Sequence, residues 1–216
     1  AWYKVCAGDP YSFLLESVEG GEKLARYSFL GCDPVWVLEA RGDKTVQTHR
    51  HGNIDIFEGN PFDILEKCLE PIHPVKLPQL PPGICGLFGF WGYELIRWIE
   101  PRVPIYSPSE TDLPDGIWMQ IDNLIVFDRV KGKIWAIAYA DLRDPELDLE
   151  QAYRETCDRI TKLVLKLQLP LPIEAKLLSW RSPESLGNTN VEELVLQTNT
   201  PKSLFCENVL KAKEYI

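Results

Sequence analysis

Short segments of alternating or aromatic and β-branched character, each closed by a turn dipeptide, crowd the first sixty residues. Residues 2–6, 13–17, 27–31 and 35–40 and the two arms 44–50 and 52–58 are set apart by Gly20-Gly21, Asp33-Pro34, Gly42-Asp43 and His51-Gly52-Asn53. Alternation puts every second side chain on one face, so this pattern demands sheet. Gly, Pro, Asn and Asp are the residues that turn a chain between strands.

Helix signals then begin. Asn60 followed by Pro61 is an N-cap with proline at the first helical position, and residues 62–69 supply an apolar stripe. A proline-rich connector over 71–82 suits a stiff surface crossing. Residues 117–129 and 133–140 read as two long strands joined at Lys131-Gly132. Asp148 caps a helix on which Ala152, Ile160, Leu163, Val164 and Leu167 recur at helical spacing. Residues 169–199, with Pro170, Pro172, Pro183 and Gly187, are irregular, and the chain is linker-like over 168–200. Thr200-Pro201 opens a last helix whose stripe of Phe205, Val209, Ala212 and Ile216 still runs at the final residue. With no initiator methionine at Ala1 and no cap at Ile216, the expectation is a piece of a longer protein. Strands without regular βαβ alternation, and helices segregated from them, predict an α+β fold of mixed or antiparallel sheets packed with helices.

The segment "GICGLFGFWGYELIR", residues 83–97, places glycines at 83, 86, 89 and 92. Its spacing matches neither phosphate-binding glycine motif. Large apolar residues between the glycines point instead to a buried strand that another backbone approaches closely. A helix over 93–100 follows, with Leu95, Ile96 and Ile99 inward and Arg97 open to a charge partner.

Composition excludes several classes. A net charge of −9 over 216 residues, without a basic tract, disfavours a phosphate-backbone partner. No apolar run approaches a membrane span and no signal segment opens the chain, so a soluble, cytoplasmic protein without membrane or nucleic-acid partners is expected. The six cysteines are scattered without C-x-x-C pairs and read as buried free thiols. His49 and His51 fall at the tip of the 44–58 hairpin, and no metal site is expected from them.

One strand ends oddly. Phe13, Leu14 and Leu15 of "SFLLES" read as core, yet Glu16 and Ser17 follow, and Arg26 opens "RYSFLG" after the glycine turn. On the residues alone, Glu16 and Arg26 read as a structural ion pair at a strand end.

Taken together and in order, "SFLLESVEGGEKLARYSFLG", "GLFGFWGYELIRWIEP" and "LPDGIWMQIDNLIVFDR" resemble the N-terminal region of anthranilate synthase component I, a chorismate-utilising family. The closing "ENVLKAKEYI" is similar to the lead into that family's chorismate-binding half, which would then begin at 201–216. The resemblance implies an enzyme that converts chorismate and ammonia to anthranilate and pyruvate in tryptophan biosynthesis. It implies ammonia from a glutaminase subunit, Mg2+ in the full-length enzyme and feedback inhibition by tryptophan. No cofactor and no catalytic residue is assigned to these 216 residues, because the family's catalytic groups lie in the other half. It further implies a tryptophan pocket to which Leu15, Glu16, Ser17, Arg26, Tyr27 and Ser28 contribute. A free amino acid needs an acceptor for its ammonium, which Glu16 and Ser17 offer. It needs a cationic donor for its carboxylate, which Arg26 offers, with Lys23 as the second candidate. Leu15 and neighbouring aromatic residues would wall the indole. Two alternatives stand beside this reading. One is aminodeoxychorismate synthase component I, which shares a glycine-rich segment before a Y-[DE]-L helix. The other is a non-catalytic amino-acid-sensing or subunit-docking module.

Overall fold

Two antiparallel sheets lie back to back in the computed structural model, which describes residues 1–16, 26–75, 77–103, 113–172 and 200–215. The strands in chain order are β1 (Ser12–Leu15), β2 (Tyr27–Cys32), β3 (Trp36–Arg41), β4 (Lys44–His49), β5 (Ile54–Glu58), β6 (Leu87–Trp91), β7 (Gly116–Gln120), β8 (Asn123–Asp128) and β9 (Lys133–Ala138). The first sheet runs β1-β2-β8-β9 and the second β5-β4-β3-β7-β6, with every pairing antiparallel. Helices α1 (Trp2–Val5), α2 (Pro61–Leu69), α3 (Ile96–Ile99) and α4 (Leu149–Gln168) accompany them. The expected α+β class holds.

Alternation along each strand builds three buried layers. Phe13, Leu124, Val126 and Ile137 of the first sheet meet Val37, Phe88 and Met119 of the second, and the Phe13 and Phe88 rings stack at 4.1 Å. On the far side of the second sheet, Trp36, Leu38, Ala40 and Trp118 pack against Ile64 and Leu65 of α2 and against Leu95. On the far side of the first, Leu30, Cys32 and Ile125 pack under Val5 and Cys6 near α1 and Leu163 of α4. Leu30 and Leu38 are almost fully buried. Each such side chain contributes roughly 1.5–3 kcal/mol by leaving water.

Three expectations are corrected. Residues 2–5 form one helical turn and not a strand, because Val5 and Cys6 gain burial against β2, β8 and α4 that outweighs the strand propensity of Trp2, Tyr3 and Val5. The single strand expected over 117–129 is two. β7 ends at Gln120 in the second sheet and β8 begins at Asn123 in the first. Ile121, buried in the inner layer, and Asp122 make the corner. The helix expected over 93–100 is a 3-10 turn at Tyr93–Leu95 followed by α3, and Ile99 is 66% exposed.

The glycine segment partly meets its expectation. A Cβ on Gly89 would lie 1.8 Å from the Ile117 carbonyl oxygen, so the backbone approach is real. Yet β6 is an edge strand whose Phe90 and Trp91 are exposed. Arg97 finds its partner in Asp115, whose carboxylate also accepts from Gly42 N at 2.7 Å. The expected caps form, with Asn60 accepting from Phe62 N and Asp148 from Glu150 N and Gln151 N.

The chain divides into two compact units, residues 1–172 and 173–216. In the second, α5 (Lys202–Lys213) starts after Pro201, and Phe205 and Val209 are exposed on it. The linker-like residues 173–199 and the stripe's last member, Ile216, lie outside the described residues.

Candidate functional site

Of the residues singled out around the L-L-E-S stretch, Leu15, Glu16, Arg26, Tyr27 and Ser28 lie where β1 and β8 end and β2 begins. β2 and β8 are registered as far as Tyr27 opposite Asp128, and one step further Arg129 N donates to the Arg26 carbonyl at 2.9 Å. The Asp128 side chain is 3% exposed and takes two hydrogen bonds from Arg26, from Nε to Oδ1 at 3.0 Å and from Nη2 to Oδ2 at 2.7 Å. Lys131 N adds a third at 3.1 Å, folding the β8–β9 turn over Gly132, whose φ of +58° suits glycine. The Arg26 hydrogen bonds, opposed by burial and aided by Lys131 N, hold the carboxyl at about 2, well below the usual range. The guanidinium carbon of Arg26 also stands 4.8 Å from the Tyr27 ring centroid.

Glu16 pairs with a different cation. Arg129 Nη2 reaches Glu16 Oε1 at 3.4 Å and donates to the Ser28 hydroxyl at 3.2 Å. Glu16 and Arg129 are about half exposed, at 49% and 46%, while Ser28 is buried. The ion pair expected between Glu16 and Arg26 is therefore not formed; each has its own partner from the end of β8. Asp128 and Arg129 escaped the reading of the residues, although "FDR" closing a long apolar run carries the signal.

Strand alternation divides Leu15, Glu16, Tyr27 and Ser28 between two faces. Tyr27 packs with Phe29 on the inner layer, and Leu15, registered with Phe29, shares that face at 50% exposure. Ser28 shares the opposite face with Leu30, and Glu16 is drawn to it through Arg129. Arg26 stands at the strand end, bound to Asp128. Ser17, like Lys23, lies outside the described residues. At the strand ends a carboxylate and a guanidinium thus meet in one long contact on the outer face, while Leu15 stands half exposed on the inner one.

A second charge cluster is structural. Asp122, at the β7–β8 corner, accepts from Arg50 at 2.7 and 3.1 Å and from Arg159 of α4, whose guanidinium also donates to the Tyr139 carbonyl. Burial pushes the Asp122 carboxyl up, but the hydrogen bonds and charge of Arg50, with Asn123 and Arg159, bring it below its usual value. Of the cysteines, Cys6 and Cys32 are buried, Cys68, Cys85 and Cys157 partly so, and Cys206 is exposed, so the buried reading holds for two. His49 Nε2 lies 3.0 Å from Asp55 Oδ2, and His51 is exposed in the turn. Among the described residues no group of three or more His, Cys, Asp or Glu side chains could hold a metal ion, and no helix is long and apolar enough to cross a membrane.

Comparison with known proteins adds the lineage. No protein-family model matches the chain. The whole chain aligns with anthranilate synthase component 1 of Synechocystis sp. (strain ATCC 27184 / PCC 6803 / Kazusa) at 64% identity over 218 residues, covering 42% of that protein. Anthranilate synthase component 1 of Acetivibrio thermocellus is 36% identical over 207 residues, 94% of this chain and 40% of its own length. The chain thus spans about two fifths of the curated relatives it matches, 42% and 40% of these two. Among solved structures, anthranilate synthase component I from Streptococcus pneumoniae TIGR4 superposes with a TM-score of 0.51 at 24% identity, covering 77% of this chain and 34% of that one, a likeness of fold.

Proposed function

This chain belongs with the N-terminal region of anthranilate synthase component 1 proteins, and on that premise we propose that it is the regulatory and structural part of such an enzyme. The whole protein would convert chorismate and ammonia to anthranilate and pyruvate, with ammonia drawn from glutamine by a glutaminase subunit in the cytoplasm. Identity of 64% along the full length of the chain is the observation that carries this reading. Tryptophan is its feedback inhibitor, bound where β1 and β8 end and β2 begins, with Leu15 and Tyr27 on one side and Glu16, Arg26 and Ser28 around the strand ends; Ser17, the sixth residue assigned to it, is named from the sequence and lies outside the described residues. The half-exposed Leu15 and the unspent charge of the Glu16–Arg129 contact support that location.

No residue of this chain is assigned to catalysis. Magnesium, which would supply Lewis-acid stabilisation of the substrate's carboxylates in the whole enzyme, meets no fitting cluster among the described residues and is assigned to none of them. The test compares the full-length protein with residues 1–216 alone, each given chorismate, ammonia and magnesium, with anthranilate read by fluorescence and tryptophan titrated in. Turnover by the full-length protein alone, suppressed by tryptophan, is expected. Anthranilate from the isolated region, or a full-length enzyme indifferent to tryptophan, would overturn the respective part of the reading.

A further inference from the structure

Arg26 and Arg129 stand opposite each other, one step beyond the last registered pair of the β2–β8 ladder, yet they are held very differently. Arg26 places both Nε and Nη2 on a buried carboxylate. Arg129 is anchored from beneath, its backbone N–H on the Arg26 carbonyl and its Nη2 on the buried Ser28 hydroxyl. Its guanidinium then reaches the strand opposite and takes Glu16 by one long contact of 3.4 Å.

We propose that Arg129 is a positioning residue for the amino-acid pocket, a clamp that draws Glu16 to the outer face of the first sheet and so fixes how the end of β1 presents Leu15 to the inner one. The clamp sits where pairing runs out. The last registered pair of β1 and β2 is Leu15 with Phe29, and Glu16 with Ser28 is the next step. Arg129 bridges that next step from outside, touching both members, where backbone pairing no longer orients the chain. Because successive side chains alternate across a strand, holding Glu16 outward turns Leu15 inward, towards Phe29 and Tyr27. Glu16 then serves the pocket through its orientation and not through a contact with the ligand's ammonium.

This inference rests on the tryptophan reading above, and the experiment separates the two. In the full-length protein, tryptophan half-inhibition and thermal melting are measured for wild type, Arg129→Ala, Arg129→Lys, Arg129→Glu, Glu16→Arg and the double exchange Glu16→Arg/Arg129→Glu. An exposed pair of this kind supports an effect of about 2- to 5-fold. Arg129→Ala is expected to raise half-inhibition by that factor with little change in melting temperature. Arg129→Lys should retain most of the sensitivity, Arg129→Glu should lose more than the alanine variant, and the double exchange should regain what each reversal loses. If Glu16 instead meets the ligand's ammonium, an arginine there repels it and the double exchange stays insensitive, which overturns the clamp. Unchanged half-inhibition in Arg129→Ala overturns it as well. A wild type that neither binds nor responds to tryptophan removes the pocket reading and the clamp with it.

Discussion

Arg26 and Asp128, 102 residues apart in sequence, are joined by two parallel hydrogen bonds of 3.0 and 2.7 Å that close the β2–β8 ladder. The carboxyl is held at about 2 against its ordinary 3.8. A depressed value means that the folded state prefers the ionised form, so its contribution to stability is complete above the ordinary value and is lost as pH falls through the depressed one. The melting-temperature gap between wild type and Asp128→Asn is expected to be widest above about pH 4 and to close towards pH 2. A gap that stays constant over that range contradicts the assignment.

Gly89 offers a sharper geometric test. Any Cβ there meets the Ile117 carbonyl oxygen at 1.8 Å and the Trp118 Cα at 3.0 Å, backbone atoms that cannot move without parting β6 from β7. Gly89→Ala should cost about 3 kcal/mol, at the upper end for overpacking. Gly132, with φ of +58° and nothing within 4 Å of its would-be Cβ, should accept Asn almost without cost. Denaturant melts of both variants check the contrast, and equal losses would refute it.

Asp122 ties three parts of the first unit together through Arg50, Arg159 and its own place at the β7–β8 corner. Among the described residues, Asp122→Ala leaves Arg159 without a carboxylate partner and Arg50 with Asp33 alone, the two guanidiniums facing each other in a largely buried setting, and a loss of roughly 3 kcal/mol is expected. The further change Arg159→Met in that background should restore part of it, since the cation that lost its carboxylate is gone. A double variant less stable than Asp122→Ala would show that Arg159 acts through packing alone.

The helix caps make a smaller prediction. Asp148 accepts from Glu150 N at 2.9 Å and Gln151 N at 3.2 Å, and Asn60 accepts from Phe62 N at 3.0 Å. Replacing either with alanine should lower stability by about 1 kcal/mol. Because α4 carries Leu163 onto the first sheet, Asp148→Ala should also speed amide exchange in the first turn of α4, and unaltered exchange there would argue against the cap.

By itself the sequence determined what depends on near neighbours. The strands over 27–32 and 36–41, the hairpin of β4 and β5 and the starts of α2 and α4 follow from a two-residue period, turn residues and N-caps, each readable within a few positions. The family resemblance likewise rested on runs of consecutive residues. Tertiary structure decided what depends on distant ones. Trp2–Val5 became a helical turn because of what covers it. The apolar run over 117–129 split between two sheets at Asp122, since strands buried on both faces look alike in either sheet and only the contacts of the corner tell them apart. At the strand ends, Glu16 and Arg26 are ten residues apart and opposite in charge, yet the register of β8 brings Asp128 to Arg26 and Arg129 to Glu16. An ion pair forms between groups that folding brings within a few ångströms, and the register of strands a hundred residues apart sets that distance.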